Sequence, residues 1–392
     1  MTLLHKHHTF FSNHKTPFYF YDTSLLKQTL EQINKACSPF NYHVHYALKA
    51  NTNNALLQLI KEAGLGADCV SGNEVKKAIE LNFGSNKIVF AGVGKSDDEI
   101  NYALAQNIFC FNCESIPEIE VINELAKQQN KIAHIALRIN PNVDAQTHKY
   151  ITTGLEENKF GINFHELPEV LEILKKCTHM KLIGLHFHIG SQITDLNVYK
   201  NLCTRVNEIQ HWFQQKGYHL EHLNLGGGLG INYSKPDEES VCDFGTFFFL
   251  FKKFLQVKPN QQIHFELGRA VVAQCGNLIT KVLYVKKGTN TNFAILDAGM
   301  TELIRPALYQ AYHKIENISA NQKSEIRNQK SKYDVVGPIC ESSDCFGKAV
   351  ELPETMRGDI IAIRSAGAYG EVMSSQYNLR DKVKSYFDTE SV

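Results

Sequence analysis

Eight short apolar, β-branched runs recur through the first two thirds of the chain: YHVHYAL (42–48), GADCV (66–70), KIVFAG (87–92), NIFCFN (107–112), IAHIALRIN (132–140), KLIGLHFHIG (181–190), LEHLNL (220–225) and QIHFEL (262–267). Between them lie segments whose apolar residues fall at helical spacing, for example 54–63, 72–81 and 167–177. Eight strands alternating with helices predict an α/β fold, a (β/α)8 TIM barrel. Evenly spaced units fit a closed barrel better than the alternative, an open doubly wound sheet. After Glu266 the rhythm changes. The runs 278–287, 292–299, 333–338 and 359–367 follow with few helical intervals, which predicts a second, mostly antiparallel β domain. The expected boundaries are 26–265 for the barrel and 266–392, with the N-terminal segment 1–25, for the β domain. The stretch NQKSEIRNQKSK (321–332) repeats NQKS and has almost no apolar content, so it reads as an exposed, mobile insertion without a catalytic role.

A chain of 392 residues is too long for one ordinary core, in keeping with two domains. Lys plus Arg and Asp plus Glu both number 41, so the net charge is zero. A nucleic-acid or anionic-membrane partner would call for a basic excess, and neither is expected. The N-terminus MTLLHKHHTFFSNHK lacks an apolar core and a small-residue cleavage site, so no signal peptide is expected. The most apolar stretch, 244–251, is too short to span a bilayer. Ten cysteines without a disulfide rhythm read as reduced thiols of a cytoplasmic protein. The lone C-x-x-C, Cys110 and Cys113, has no second pair and reads as the end of a buried strand rather than a zinc site.

In a (β/α)8 barrel, chemistry sits at the C-terminal ends of the strands. Four of the eight candidate strands end in distinctive groups: Lys49 in YALKAN; His188, Gly190 and Ser191 in HFHIGSQ; the run Gly226, Gly227 and Gly228; and Glu266, followed by Gly268 and Arg269. Each has an ordinary reading as a surface charge, a turn, a core imidazole or an ion-pair partner. Their convergence on one barrel face gives them weight. A partly desolvated Lys suits Schiff-base chemistry. A glycine run after the seventh strand lets bare backbone N–H groups approach phosphate oxygens. A carboxylate beside a pyridine nitrogen keeps that nitrogen protonated, and the ring can then withdraw an electron pair. Together the three suggest pyridoxal phosphate.

From these residues the chain is identified as resembling the fold-type III pyridoxal-phosphate decarboxylases. The motifs TPFYFYD (16–22), YALKAN (46–51), GADCVSGNE (66–74), THKYITTG (147–154), NKFGI (158–162), HIGSQ (188–192), LNLGGGLGINY (223–233), ELGR (266–269), RPALYQAYH (305–313), CESSD (340–344) and GAYG (367–370) stand in family order over nearly the whole chain. The resemblance implies that Lys49 would carry the cofactor as a Schiff base. His188 would stack on its ring, and Glu266 would pair with the ring nitrogen. Asp68, Ser191, Gly227, Gly228, Gly268, Arg269 and Tyr369 would complete the cofactor site, with Arg269 and Tyr369 also reaching the substrate. Arg305 and Tyr309 would hold a substrate carboxylate, and Glu341 a distal ammonium. Cys340 would protonate the carbanion left after CO2 departs. In the family, Cys340 and Glu341 enter from the partner subunit, which implies a homodimer with shared sites. RPALYQAYH and CESSD point to meso-2,6-diaminopimelate as substrate and L-lysine as product. Ornithine, arginine or carboxynorspermidine is the alternative.

Two departures stand out. The family's E-P-G-R is Glu266-Leu267-Gly268-Arg269 here, which loosens the turn and keeps the Glu, Gly and Arg. The segment AGVGKS (91–96) departs from the family's Gly-Asn pairing, and it is not a phosphate-binding P-loop, whose first Gly would fall at Val89. Two other classes of function compete. His43 with His45 and His186 with His188 form H-x-H pairs, as in a metal-dependent barrel hydrolase, but His43 and His45 sit well before the strand end, so no metal is expected. A non-catalytic relative would be expected to lose the Lys or the proton donor, and both Lys49 and Cys340 are present.

Overall fold

The computed structural model describes residues 3–143, 159–320 and 329–388. The motif at 147–154, Asn158 and most of the 321–332 repeat lie outside the described residues. The chain divides into two compact units. One comprises Thr29–Gly230 and Asp243–Gly268; the other comprises Met1–Gln28, Ile231–Cys242 and Arg269–Val392.

The first unit is a closed barrel of eight parallel strands: β2 (Tyr42–Ala47), β3 (Gly66–Cys69), β4 (Ile88–Phe90), β5 (Cys110–Cys113), β6 (Ala133–Arg138), β7 (Met180–His186), β8 (His222–Asn224) and β9 (Gln262–Leu267). β1 (Phe18–Tyr21) belongs to the other unit. Closure is sealed by β2 on β9, with Tyr42 opposite Ile263 and His45 opposite Glu266. All eight apolar runs become barrel strands, so the predicted fold class is the observed one. Their limits differ locally. Pairing in the fourth run begins only at Cys110, and β2 stops at Ala47, leaving Lys49 in a single 3-10 turn, Leu48–Ala50.

Helices between strands start where side-chain caps allow. Ser71, Ser96 and Ser115 each accept the backbone N–H three residues on, and the Ser96 cap is completed by Glu99. The helix Phe244–Phe254, capped by Asp243, buries Phe247, Phe248 and Phe251 against Phe265 of β9. Each such ring, fully buried, stabilises the barrel by about 1.5–3 kcal/mol.

The second unit is an eight-stranded sheet, mostly antiparallel. Its main path runs β12 (Ile315–Asn317), β15 (Ile360–Ile363), β10 (Gly276–Lys287), β11 (Asn292–Leu296), β13 (Lys330–Val336) and β14 (Cys345–Pro353). β1 pairs antiparallel with β10 and parallel with β16 (Lys384–Phe387). Leu4, Phe11, Phe18 and Phe20 share one core with Ile279, Ile318 and Ile360, which ties the N-terminal segment to this sheet. One expectation is corrected here. Lys330, Ser331 and Lys332 are not loop but the start of β13, paired with Pro353, Leu352 and Glu351. Backbone pairing sets the conformation there, and polar side chains on a half-exposed strand do not oppose it.

Candidate active site

One layer of the barrel interior is polar, beside an apolar cluster of Val89, Cys110, Ala136 and Ile183. Glu266 of β9 accepts from Asn224 Nδ2 of β8 at 2.6 Å and Asn112 Nδ2 of β5 at 3.1 Å, both on Oε1. His186 Nε2 of β7 donates to Oε2 at 2.9 Å. Strands β5 and β9 are not neighbours in the barrel, so these side chains meet inside it. Burial alone would push the Glu266 carboxyl up. The facing His186, and then Lys49 and His188, more than offset that, and the group is held below the usual carboxylate range. Both lone pairs of Oε1 are used, whereas among the described residues Oε2 keeps one for a further donor.

Lys49 follows β2 and pairs its Nζ with Asp68 Oδ2 of β3 at 2.9 Å. Its side chain is 37% exposed, whereas that of Asp68 is fully buried. Asp68 Oδ1 is buried with no hydrogen-bond partner among the described residues. Burial, and then the charge of Glu266, push the Asp68 carboxyl above its usual range despite Lys49.

His188 lies just past β7 and accepts from the Gly227 N–H on Nδ1 at 3.4 Å. Burial, and then Arg138 and Lys49, hold its pKa well below normal, so the ring is neutral. The loops after β7 and β8 are joined by Ile193 N–H donating to the Gly228 carbonyl at 2.8 Å, which fixes Ser191 beside the glycine run. The glycines have a packing reason that the sequence did not reveal. A Cβ on Gly227 would run into the Glu266 carbonyl oxygen, and one on Gly228 into that of Gly190. Beside them, Arg138 pairs with Glu114 at 2.9 Å, and Glu114 also accepts from Gly92 and Gly161 N–H, tying together the ends of β4, β5 and β6.

The second unit holds its own cluster. Arg269 opens a short helix, Arg269–Val272, and donates to Tyr233 Oη at 2.6 Å. Its guanidinium lies 4.9 Å from the Tyr369 ring centroid. Tyr369 sits in the left-handed region at φ 57°, where a non-glycine residue is strained. Arg305 is buried, lies 5.1 Å from the Tyr233 ring, and donates to His313 Nε2 at 2.7 Å. Tyr309 ends the same short helix, Arg305–Tyr309. Cys340 is an exposed thiol, and Glu341 beside it accepts from Tyr377 Oη at 2.7 Å. The structure thus brings Lys49, Asp68, His188, Gly227, Gly228 and Glu266 to the barrel, and gathers Arg269, Tyr369 and Arg305 around Tyr233. Gly268 is the barrel unit's last residue, one before Arg269.

Sequence reasoning missed Asn112, Asn224, His186 and Tyr233. The signal for the first three was present: each is a polar residue inside an apolar strand, at an alternation that shares a face with neighbouring polar positions. The H-x-H pairs are separated by the fold. His186 serves Glu266. His45 bonds His264 at 2.9 Å, and His264 bonds His222 at 3.1 Å. Cys110 and Cys113 are buried in β5, as expected, and burial pushes both thiols up. Among the described residues no helix is long and apolar enough to cross a membrane.

The groups present fit pyridoxal phosphate. They comprise a strand-end amine, an ionised buried carboxylate with one acceptor site to spare, a neutral imidazole and a glycine run held against backbone. Comparison with known proteins agrees. A family model described as pyridoxal-dependent decarboxylase, pyridoxal binding domain, matches residues 24–273 and places the barrel in that class. The chain is 58% identical over 379 residues to the diaminopimelate decarboxylase of Bacteroides thetaiotaomicron, spanning 96% of this chain and 97% of that one. It is 42% identical over 373 residues to that of Helicobacter pylori, at 95% and 90% coverage. The crystal structure of the Helicobacter pylori enzyme complexed with L-lysine superposes with a TM-score of 0.90, covering 97% of this chain and 93% of that one. The chain belongs to the diaminopimelate decarboxylase family.

Proposed function

We propose that this chain binds pyridoxal 5'-phosphate and decarboxylates meso-2,6-diaminopimelate to L-lysine and CO2. The observation that supports this most is the Glu266 cluster: a buried carboxylate kept ionised by Asn112, Asn224 and His186, with one lone pair left to accept a proton-bearing ring nitrogen. When bound, the cofactor supplies the electron sink that stabilises the carbanion formed as CO2 leaves. Lys49 supplies the amine that anchors it, and Asp68 holds that amine in place. His188, neutral, offers a flat ring face without adding charge. Ser191, Gly227, Gly228, Gly268 and Arg269 hold its phosphate, with Tyr369 alongside. Arg305 and Tyr309 receive the substrate's distal carboxylate, and Glu341 its distal ammonium. Cys340 delivers the proton to the α-carbon.

The exposed positions of Cys340 and Glu341, together with Leu379, which is 98% exposed, support a homodimer in which Cys340 and Glu341 serve the partner's site. Ten free thiols support a cytoplasmic location. A substrate panel tests the reaction. Meso-diaminopimelate should be turned over, with ornithine, arginine and L-lysine poor by comparison, because a site built for a carboxylate rejects analogues that lack it and L-lysine has already lost its second carboxylate. Faster turnover of ornithine would overturn the assignment.

A further inference from the structure

The RPALYQAYH motif ends in His313, to which the reaction gives no role. β12 and β15 pair antiparallel, with Ile315 opposite Ile363. One step beyond that ladder, Arg364 N–H donates to the Lys314 carbonyl at 2.9 Å. The register therefore brings His313 beside the Arg364 backbone, and His313 Nδ1 lies 2.9 Å from the Arg364 carbonyl oxygen. A carbonyl can only accept, so Nδ1 carries the proton and Nε2 is a bare acceptor. Arg305, eight residues earlier, donates to that Nε2 at 2.7 Å across the turn made by Gln310 at φ 53°. Arg364 is itself anchored by Asp237 at 2.7 Å and Asn277 at 3.0 Å, so the carbonyl that fixes the imidazole is rigidly placed.

The identity of the acceptor matters. A buried arginine is ordinarily matched by a carboxylate. Among the described residues, Arg305 has no carboxylate partner; its close neighbours are Tyr233 and His313. A carboxylate at position 313 would orient the guanidinium but would also cancel its charge and compete with an incoming anion. A neutral imidazole orients the fork and leaves its full charge for a ligand. Burial, and then the facing Arg305, push the His313 pKa down to about 3, so the acceptor persists throughout the neutral range.

We propose that His313 is a positioning residue that aims the Arg305 guanidinium at the substrate's distal carboxylate without neutralising it, and so sets selectivity for ligands that carry that group. This rests on the substrate reading above, and the test separates the two. In the full-length holoenzyme, inhibition constants are measured for L-lysine, which keeps the distal carboxylate, and for 1,5-diaminopentane, which lacks it. The wild type should prefer L-lysine; if it does not, the substrate reading fails. H313N retains a donor where Nδ1 stood but lacks the far acceptor, whereas H313Q restores an acceptor near Nε2. Leaving a charged donor misaimed should reduce the preference for L-lysine about tenfold in H313N, with 1,5-diaminopentane unaffected, and H313Q should recover most of it. In an R305K background, H313N should add nothing. A wild-type preference that survives in H313N, equal losses in H313N and H313Q, additive effects with R305K, or failure of both variants to yield holoenzyme would each assign His313 to the fold alone and overturn the proposal.

Discussion

Lys49 and Asp68 form an ion pair in which only one end is satisfied: Nζ meets Oδ2 at 2.9 Å, while Oδ1 is buried with no partner among the described residues. Burial and the nearby Glu266 raise the Asp68 pKa, so ionised Asp68 costs stability. A carboxyl raised in the folded state contributes its full stability below its unfolded pKa and loses it as pH rises through the folded value. Asp68→Asn should therefore melt at or above the wild-type temperature when the cofactor-free proteins are compared near pH 8. The gain should vanish below about pH 4, the unperturbed range of a carboxyl. Turnover should fall at least about tenfold, as expected where a strained group is kept for function. A variant less stable than wild type at pH 8 would contradict this account.

Glu266 is satisfied in the opposite sense. Its two oxygens accept from three donors, so Glu266→Gln must turn an NH2 toward Asn112 and Asn224 or toward His186. Toward the two Asn donors this sets a buried donor against donors; toward His186 it forces the ring proton onto Nδ1, which is buried with no partner among the described residues, and either arrangement costs about 1–3 kcal/mol. Urea unfolding of the cofactor-free variant should show a loss of that size, with an unchanged denaturant slope. Activity should fall further than stability explains, because the amide cannot keep a ring nitrogen protonated.

Much of this was legible in the chain. The eight apolar runs are short, bounded and separated by helical spacing, so local pattern and global fold agree and the barrel follows. Lys49, His188 and Glu266 stand out because each is a polar group at the end of an apolar strand. Asn112 and Asn224 carry a weaker sign, a polar residue sharing a strand face with other polar positions, and their common target emerges only when the closed barrel brings β5, β8 and β9 around one carboxylate. His313 is hidden for a similar reason: its neighbour Arg364 is set by the β12–β15 register, a long-range pairing with no local signature. β14 and β16 escaped notice because they are half-exposed and carry mixed polarity.

The histidine chain inside β2, β8 and β9 gives the barrel an acid limit. His45 Nδ1 lies 3.0 Å from the Lys87 carbonyl oxygen, which fixes Nε2 as an acceptor for His264, whose own Nε2 then accepts from His222. A proton added to His45 or His264 would set two donors face to face; one added to His222 at Nε2 would not. Burial is the main cause that lowers the pKa of all three, with His45 brought to about 4. A histidine depressed in the folded state contributes stability above its unfolded pKa, and that stability is lost as pH falls toward the folded value. Melting temperature should thus drop between about pH 6.5, the unperturbed histidine value, and pH 4. His264→Gln should be less stable at neutral pH yet show a shallower drop. Parallel curves for variant and wild type would place the acid sensitivity elsewhere.

Sharing of sites between subunits can be tested with two broken enzymes. Cys340 is exposed in the sheet unit, whereas Lys49 belongs to the barrel unit. Lys49→Ala should abolish turnover through loss of the anchoring amine, and Cys340→Ala should lower it severely through loss of the proton donor. If each site takes Lys49 from one subunit and Cys340 from the other, a mixed dimer has one site carrying both lesions and one site carrying neither. Random exchange makes about half of all dimers mixed, so activity should return to about a quarter of wild type. If both residues instead served a site within one chain, every site in the mixture would carry one lesion and nothing would return. Exchange requires co-expression or mild denaturation, with mixed dimers confirmed by differently tagged subunits. Silence from a preparation in which tagged mixed dimers are present would exclude the shared site, and recovery near a quarter would establish it.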